Sequence, residues 1–339
     1  MSGTLSDSIQ YFTQLSYLTI QSQPDLSGTL PSAMGTLSNL VNIGIDRTSI
    51  SGTIPESFGK LTGLQYLILS LNHLSGSIPS NIGNLRELIS LDLNTNNLTG
   101  SIPSTIGNFE NLQTLSFSFN KLSGTIPESI GSLSNLYSLY LEENELIGTI
   151  PTSFQFLTNL QNCYLNKNQL SDNHINTLLN LAHLTSLKLS YNNISGVMSA
   201  STHNTLQYIY LSHNKISGSI PPGIGSMNNL KNLYLDNNEI IGTIPPEMGS
   251  LGSLLALDLS SNQMSGTIPI QICYLMSIQT LYLSNNHFNG TIPTQIDNML
   301  NIQVLDVSNN LISGTIPNSI GKLNQFSKLN LSNNKLSGT

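Results

Sequence analysis

The sequence predicts a repeat solenoid of α/β class, built mostly from short β-strands and 3-10 turns in about 14 coils. A Ser-Gly-Thr tripeptide, or a close variant of it, recurs every 24 residues in two uninterrupted blocks. Its glycines are Gly28, Gly52, Gly76, Gly100, Gly124 and Gly148, then Gly218, Gly242, Gly266, Gly290, Gly314 and Gly338. A fixed period of this length means that each repeat buries its apolar face only against its neighbours. We therefore expect the function to reside on a long repeated surface rather than in one pocket.

The first part of each repeat predicts a short β-strand. In the repeat that runs from Leu64 to Glu87, Leu67 and Leu69 form the apolar half of an alternating run. Such alternation places one face of a strand in the core and the other in solvent. The residues between and after these leucines therefore point outward, and those of successive repeats form columns.

From the third coil onward an asparagine follows each strand after a fixed interval, as Asn72 follows Leu69, whereas the second coil has Thr48 in that place. An inward asparagine can donate and accept hydrogen bonds, so it can satisfy backbone groups in a buried turn that no strand pairs. We predict that the stacked side chains form a structural ladder. Its members are Asn72, Asn96, Asn120, Asn144, Asn168, Asn192, Asn214, Asn238, Asn262, Asn286, Asn310 and Asn334.

The second part of each repeat turns the chain back. Gly76 permits a bend or a close backbone approach. Ile78 and Pro79 hold the backbone extended, because the residue before a proline avoids the helical region. Ile82 and Leu85 then belong to a short helical turn that buries two more apolar side chains.

Together these residues follow LxxLxxLxLxxNxLxGxIPxxIGxL over essentially the whole chain, a pattern that resembles the plant-type leucine-rich repeat. The resemblance implies a right-handed superhelix with a parallel sheet on its concave side. It also implies a second, short sheet made by the Gly-x-Ile-Pro segments, and a single leucine-rich repeat domain over residues 1–339. Members of the family are mostly extracellular: ectodomains of receptor-like kinases and receptor-like proteins, and polygalacturonase-inhibiting proteins. We therefore expect a location outside the cell or at its surface.

Composition argues against several classes of function. Charged residues make up 9% of the chain, and 18 acidic against 11 basic residues give a net charge of −7. A nucleic-acid-binding protein needs a basic stripe, which this balance does not favour. No apolar stretch reaches the roughly 18 residues of a membrane helix, and Met1 to Leu5 lacks the regions of a signal peptide. Because both ends stop in mid-repeat and lack caps, we expect a piece of a longer protein.

The repeat pattern has its main break in the irregular coils at residues 171–206. Here Asp172 replaces the glycine, and the Gly-x-Ile-Pro step is lost. Ser171 to Leu184 predicts a helix with Ser171 or Asp172 as its N-cap. Its apolar face comprises Ile175, Leu178, Leu179 and Leu181. We expect the second sheet to be interrupted from Ser171 to Leu206, either through drift with a local change of curvature or as a site of binding or oligomerisation.

Neither the cysteines nor the histidines predict a site. Cys163 and Cys273 are several repeats apart, more than about 20 Å at the spacing of adjacent strands, whereas a disulfide needs Cα atoms within about 7 Å. We interpret both as buried thiols. Four of the six histidines fall in or beside the irregular coils, but on different faces, and metal ligands must converge. We therefore expect no metal and no cofactor.

The outward residues of the strands carry an aromatic column. Tyrosine combines a large contact area with few rotatable bonds and a hydroxyl, which suits ligand binding. Stacked tyrosines also stabilise a sheet by pairing across strands, so ladder packing is the alternative. The predicted ligand-binding residues are Tyr140, Tyr164, Lys188, Tyr210, Tyr234 and Tyr282 in the column, with Tyr208, Glu142 and Asp236 beside it. A second candidate is the apolar patch Ile68, Leu71 and Phe119.

These observations predict a non-catalytic recognition module that binds a peptide or protein ligand on its concave face, as receptor ectodomains of the resembling family do. The family also implies a co-receptor as a second partner. The alternatives are an inhibitor of a secreted hydrolase, similar to the polygalacturonase-inhibiting proteins, and a structural or adhesion protein. The sequence contains no recognisable catalytic set, and an open sheet cannot easily exclude water, so we do not expect an enzyme. We expect no binding of nucleic acid and no membrane contact by this segment itself.

Four glycosylation sequons begin at Asn97, Asn193, Asn289 and Asn330. The repeat consensus itself generates such triplets, so they are weak evidence of secretion.

Overall fold

The computed structural model describes residues 3–171, 174–199 and 203–338. The chain divides into two compact units, Met1–Ser171 (unit 1) and Asp172–Thr339 (unit 2). Each unit is a stack of short coils, as the 24-residue period predicts. The expectation of one domain over residues 1–339 stays a prediction.

In each unit, one strand from each coil contributes to a parallel sheet, here called the main sheet of that unit. Adjacent strands are in register, so that Leu67 lies opposite Ile43 on one side and Leu91 on the other. This register stacks the apolar side chains of successive coils in one core. In unit 1 the strands are Tyr17–Gln23, Asn42–Thr48, Tyr66–Ile68, Ser90–Asp92, Thr114–Ser116, Ser138–Tyr140 and Asn162–Tyr164. In unit 2 they are Ser186–Lys188, Tyr208–Tyr210, Asn232–Tyr234, Ala256–Asp258, Thr280–Tyr282, Val304–Asp306 and Lys328–Asn330.

The core of a coil is a single layer of aliphatic side chains. One such layer consists of Leu64, Leu67, Leu69, Leu74, Ile78, Ile82 and Leu85, each at most 3% exposed. Full burial of an aliphatic side chain contributes roughly 1.5–3 kcal/mol relative to exposure. The stability of a coil therefore comes mainly from inward positions, and the outward positions of the main strand are left for other uses.

The repeated asparagines lie inside the turns that follow the main strands from Tyr66–Ile68 onward. The Nδ2 of Asn238 donates to the carbonyl oxygens of Leu211, one coil earlier, and Leu235, in its own coil, both at 3.0 Å. Its Oδ1 accepts from the amide of Ile216 at 3.0 Å. One side chain therefore satisfies three backbone groups and ties two coils together. Side-chain amide bonds to a backbone carbonyl are made by Asn72, Asn96, Asn120, Asn144, Asn168, Asn192, Asn214, Asn238, Asn262, Asn286, Asn310 and Asn334.

The second sheet is present, but its strands end before the Ile-Pro pair that the resemblance assigned to them. Lys121–Thr125 covers the Leu-Ser-Gly-Thr residues and stops before Ile126 and Pro127. A proline has no N–H to donate to a strand ladder, and Pro127 instead caps the 3-10 helix that follows. In unit 1 the strands are Ser51–Gly52, His73–Ser77, Asn97–Ser101, Lys121–Thr125, Glu145–Gly148 and Gln169–Leu170, with Gly3–Thr4 and Leu26–Ser27 as a separate pair. In unit 2 they are Ser195–Val197, Lys215–Gly218, Glu239–Gly242, Gln263–Thr267 and His287–Asn289, with Ser313–Gly314 and Lys335–Leu336 as a separate pair.

The helical turns close the coils as 3-10 helices. Neighbouring turns pack closely, as at Gly83, where an added Cβ would lie 2.3 Å from the carbonyl oxygen of Thr105 in the next coil. In unit 1 the 3-10 helices are Asp7–Tyr11, Ser32–Thr36, Glu56–Lys60, Ser80–Asn84, Ser104–Asn108, Glu128–Ser132 and Thr152–Phe156. In unit 2 they are Pro222–Ser226, Pro246–Ser250, Ile270–Tyr274, Thr294–Asn298 and Asn318–Lys322.

The irregular coils differ from the expectation in two ways. The predicted helix from Ser171 to Leu184 was too long, because the α-helix spans only Ile175–Leu179 and its N-cap residue is His174. Asp172, the other predicted cap, lies outside the described residues. The predicted interruption of the second sheet was also too long, because Ser195–Val197 is a strand that pairs with Lys215–Gly218. Gly196, with φ of 94°, keeps the backbone bend although the Ile-Pro step is absent.

Both cysteines are buried and free of disulfides. Burial raises the pKa of the Cys273 thiol to about 11, and it raises that of Cys163 further. Both thiols are therefore protonated and unreactive at physiological pH. Among the described residues, no helix has the length and apolar character needed to cross a membrane.

We expect Asn238→Ala to lower the free energy of unfolding by about 1–3 kcal/mol, because it leaves buried backbone groups of two coils unpaired. The matched control is Asn228→Ala, an exposed asparagine of the same unit, which should cost less than about 0.5 kcal/mol. Urea denaturation of both variants measures the difference. Equal midpoints would contradict the role assigned to the ladder.

Candidate ligand-binding face

The solvent side of the main sheet, predicted above to be concave, is here called the main-sheet face. Its side chains come from the strand positions that alternate with the buried leucines. Tyr234 lies opposite Tyr210 in the preceding strand and Asp258 in the following one. Because adjacent strands are about 4.8 Å apart, outward side chains one coil apart lie close enough to contact each other.

In unit 2 the main-sheet face carries an aromatic surface. The rings of Tyr210 and Tyr234 stack with their centroids 5.0 Å apart and their planes at 18°. The Lys188 Nζ lies 5.6 Å from the centre of the Tyr210 ring, and the Lys231 Nζ lies 5.8 Å from that of Tyr208. These are cation–π distances, so the two lysines extend across the aromatic surface. Burial raises the pKa of the Tyr234 hydroxyl, as do its neighbours Tyr210 and Asp258, which keeps it protonated as a hydrogen-bond donor.

A polar cluster borders this aromatic surface. The Ser212 hydroxyl donates to Oδ1 of Asp236, and the Asn237 Nδ2 donates to its Oδ2 at 2.8 Å. The His213 Nε2 lies 3.8 Å from the same Oδ2. The His213 ring in turn stacks on Tyr191, with centroids 4.2 Å apart. Asp236 is therefore fixed by its own neighbours, and Tyr191, 52% exposed, extends the aromatic area outward.

Asp306 lies farther along unit 2, in the column of outward residues that contains Tyr210 and Tyr234, and it forms an ion pair with a lysine. Its Oδ1 accepts from the Ser308 amide at 3.1 Å and from the Ser308 hydroxyl at 2.6 Å. Its Oδ2 accepts from Lys328 Nζ and from Asn330 Nδ2, both at 3.0 Å. Burial alone would raise the pKa of Asp306, but the bonds from Ser308, Lys328 and Asn330 outweigh burial and hold the pKa below its usual value. The Lys328 Nζ lies 5.8 Å from the centre of the Tyr282 ring.

Asp258 lies between Asp236 and Asp306 along the chain, and its pKa is shifted in the opposite direction to that of Asp306. Its Oδ1 accepts from the Ser260 amide at 2.9 Å and from the Ser260 hydroxyl at 2.6 Å. Burial raises its pKa above the usual value, and the charges of Asp236 and Asp306 raise it further. The column therefore contains two carboxylates with the same local anchoring and different electrostatic surroundings.

In unit 1 the main-sheet face contains an open pocket of about 380 Å³. The Tyr140 and Tyr164 rings, 5.0 Å apart and tilted by 58°, form one wall. The complete lining is Ile68, Ser90, Asp92, Asn94, Thr95, Thr114, Ser116, Ser118, Phe119, Tyr140, Glu142 and Tyr164. It contains two carboxylates and no basic side chain. Beside the pocket, Lys167 forms an ion pair with Glu143.

The predicted ligand-binding residues fall into two groups. Tyr140, Glu142 and Tyr164 line the pocket of unit 1. Lys188, Tyr208, Tyr210, Tyr234, Asp236 and Tyr282 lie on the main-sheet face of unit 2. Two pairs of rings, Tyr140 with Tyr164 and Tyr210 with Tyr234, contact each other, as ladder packing requires. All of the predicted tyrosines remain partly exposed, as binding requires. Their assignment to a ligand therefore stays a prediction.

The predicted apolar patch separates into two parts. Ile68 and Phe119 line the pocket of unit 1, whereas Leu71, 38% exposed, is not part of the lining. Sequence reasoning missed the pocket residue Thr114 and the ion pair of Lys328 with Asp306. The sequence did contain a sign of both features, because Asp92 and Asp306 occupy equivalent positions in the column and have different residues around them.

Within the described ranges, no three histidine, cysteine, aspartate or glutamate side chains group as metal ligands would.

Comparisons with known proteins identify the family. A family model described as a leucine-rich repeat region matches residues 78–211, and models described as leucine-rich repeats match residues 63–85, 204–246, 228–288 and 277–336. A leucine-rich repeat protein of Leptospira interrogans has a similar structure, with a TM-score of 0.77 and 30% identity over 98% of this chain and 82% of its own. The chain belongs to the leucine-rich repeat family.

Solved structures of plant receptors are also similar. The plant peptide hormone receptor RGFR1, in complex with RGF2, is 34% identical with a TM-score of 0.78. The ectodomain of the Arabidopsis receptor kinase HAESA, in complex with an extended IDA peptide hormone, is 33% identical with a TM-score of 0.83. Each alignment covers 99% of this chain but only 62% and 61% of the two receptor chains, respectively. No curated protein matches the sequence significantly.

We expect Lys328→Met to raise the pKa of Asp306, which the bonds from Ser308, Lys328 and Asn330 hold below its usual value in the native protein. A carboxylate with a pKa lowered by folding stabilises the protein above its unfolded pKa, and this contribution is lost as the pH falls through the lowered value. The variant should therefore be less stable than the native protein at pH 7, and the difference should shrink in strong acid. Carboxyl-carbon NMR titration measures the pKa, and thermal denaturation measures the stability.

The control for this experiment is Lys322→Met, which removes an exposed lysine bonded to Asp297 at 2.7 Å. It should leave the titration of Asp306 unchanged. An Asp306 that titrates identically in the native protein and in Lys328→Met would contradict the ion pair.

Proposed function

We propose that this chain is a non-catalytic recognition module that binds a peptide or protein ligand on its main-sheet face. The observation that carries the proposal is the aromatic surface of unit 2. Tyr208, Tyr210 and Tyr234 lie on two adjacent strands, with Lys231 across the Tyr208 ring, Lys188 across the Tyr210 ring and the Asp236 cluster at the border. Aromatic rings set among fixed charges are typical of binding surfaces, because tyrosine loses little conformational entropy when it is covered.

The similar structures support the same class of ligand. RGFR1 is in complex with RGF2, and HAESA is in complex with a peptide hormone. Each of the two receptor structures aligns with 99% of this chain, so the proposal places the ligand on a part of the fold that both receptors also have. The proposed location is outside the cell. The sequon residues Asn97, Asn193 and Asn289 are exposed and therefore accessible to glycosylation.

The main alternative, an inhibitor of a secreted hydrolase, needs an acidic surface that complements a basic cleft. The carboxylates of unit 2 are less available for that purpose than the net charge suggests. Asp236 is bonded to Ser212 and Asn237, and Asp306 is bonded to Lys328. Because these carboxylates are already bonded within the protein, they are less available to a basic cleft. This favours a peptide ligand, for which the tyrosines supply most of the contact area.

We expect the double variant Tyr210→Ala with Tyr234→Ala to bind a peptide at least about 30-fold more weakly, or about 2 kcal/mol, because central aromatic residues carry most interface energy. The probe is a linear 12-residue peptide selected from a random displayed library on the native protein. Fluorescence anisotropy measures its affinity for each variant. The thermal midpoint should stay close to that of the native protein, since the core is untouched.

The matched control removes two exposed tyrosines from 3-10 helices, Tyr11→Ala with Tyr274→Ala, and should leave peptide affinity unchanged. Normal peptide binding by the Tyr210 and Tyr234 variant would contradict the proposed site. Unfolding of that variant would show that the column is a packing ladder.

A further inference from the structure

We propose, building on the proposed function, that the pocket of unit 1 receives a lysine side chain of the bound peptide and that Asp92 is its ion-pair partner. The pocket is the open cavity lined by Ile68, Asp92, Thr114 and Phe119, with Tyr140 in its aromatic wall. The proposal rests on a comparison between Asp92 in unit 1 and Asp306 in unit 2.

Asp306 shows what an aspartate in this column does when a lysine is nearby. One carboxylate oxygen is anchored by Ser308, two residues later, and the other accepts the Lys328 ammonium at 3.0 Å. The ammonium also lies 5.8 Å from the centre of the Tyr282 ring. The arrangement is a charge-assisted hydrogen bond beside an aromatic ring.

Asp92 has the same anchor and lacks the lysine. Its Oδ1 accepts from the Asn94 amide at 3.0 Å and from the Asn94 Nδ2 at 2.6 Å, again two residues later. Its Oδ2 has no hydrogen-bond partner in the part of the chain that the structure describes. The carboxylate is therefore held in place through one oxygen, and its other oxygen remains available to a ligand in the pocket that Asp92 lines.

The residues around Asp92 leave open the space that Lys328 fills around Asp306. Lys328 stands 22 positions after Asp306, and the residue at that distance from Asp92 is Thr114. Ile68 takes the place of Tyr282, one coil before the aspartate, and lines the pocket with Thr114. Shorter side chains thus produce a cavity of about 380 Å³ at the point where unit 2 has a lysine.

The rest of the lining suits the aliphatic stem of a lysine. Ile68 and Phe119 provide apolar surface, and Tyr140 provides an aromatic ring with a hydroxyl. A lysine buries its methylene chain along such a surface and keeps its ammonium at a polar end. The lining adds a second carboxylate, Glu142, and no cation that would repel the ammonium. Charge and shape therefore select a basic side chain over an acidic or neutral one.

The first experiment selects peptides from a random 12-residue displayed library on immobilised native protein and on Asp92→Asn. Asparagine keeps the Oδ1 acceptor for Asn94 and removes the charge. We expect lysine beside an apolar residue to be enriched on the native protein and not on Asp92→Asn. The matched control is Glu110→Gln, an exposed carboxylate of unit 1 outside the pocket, which should enrich the same peptides as the native protein.

The second experiment uses one enriched peptide, synthesised with lysine or with norleucine at the selected position. Replacement by norleucine should weaken binding to the native protein at least about tenfold and have little effect on binding to Asp92→Asn. A further variant, Thr114→Lys, supplies an internal lysine as in unit 2. It should abolish the lysine preference while leaving the thermal midpoint equal or higher.

The outcomes separate this proposal from the proposed function. Peptides enriched without a lysine preference, or with the same preference on Asp92→Asn, would overturn the lysine subsite and leave peptide recognition standing. If the native protein enriches no peptide above the bare support, peptide recognition fails, and the lysine subsite fails with it.

Discussion

The hydrogen bonds of the repeated asparagines are the constraint on which the rest of the fold depends. Each coil turns through a segment where no strand pairs the backbone, and an unpaired buried amide or carbonyl is costly. From the third coil onward one asparagine side chain in each turn solves this problem, as Asn238 does by bonding to Leu211, Leu235 and Ile216. Because these bonds reach the neighbouring coil, they also hold adjacent main strands in register.

A fixed register converts single outward residues into columns, and the chemistry of a column varies along the chain. The same column position carries Asp92 in a pocket, Tyr210 and Tyr234 in a stack, and Asp306 in an ion pair. None of these side chains is needed for the core, whose apolar layer lies on the other side of the strand. Recognition can therefore change from coil to coil while the coil itself stays the same.

The sequence predicted the fold class because a 24-residue period leaves few alternatives to stacked coils. It also indicated which residues face outward, since a strand has a period of two. The ends of elements were predicted less well. The helix begins at Ile175 rather than near Ser171, and the second sheet stops before the Ile-Pro pair because proline cannot donate. The pocket beside Asp92 depends on the sizes of side chains in adjacent coils, which no single repeat reveals.

The most direct test of this account is photo-cross-linking of a peptide selected on the native protein. The peptide carries a photoreactive leucine analogue next to its lysine, and mass spectrometry identifies the residues to which it is attached. We expect attachment to outward residues of the main strands and to the pocket lining, such as Ile68 and Phe119. Attachment confined to the second-sheet strands, such as Lys121–Thr125, or to the 3-10 helices would contradict the account.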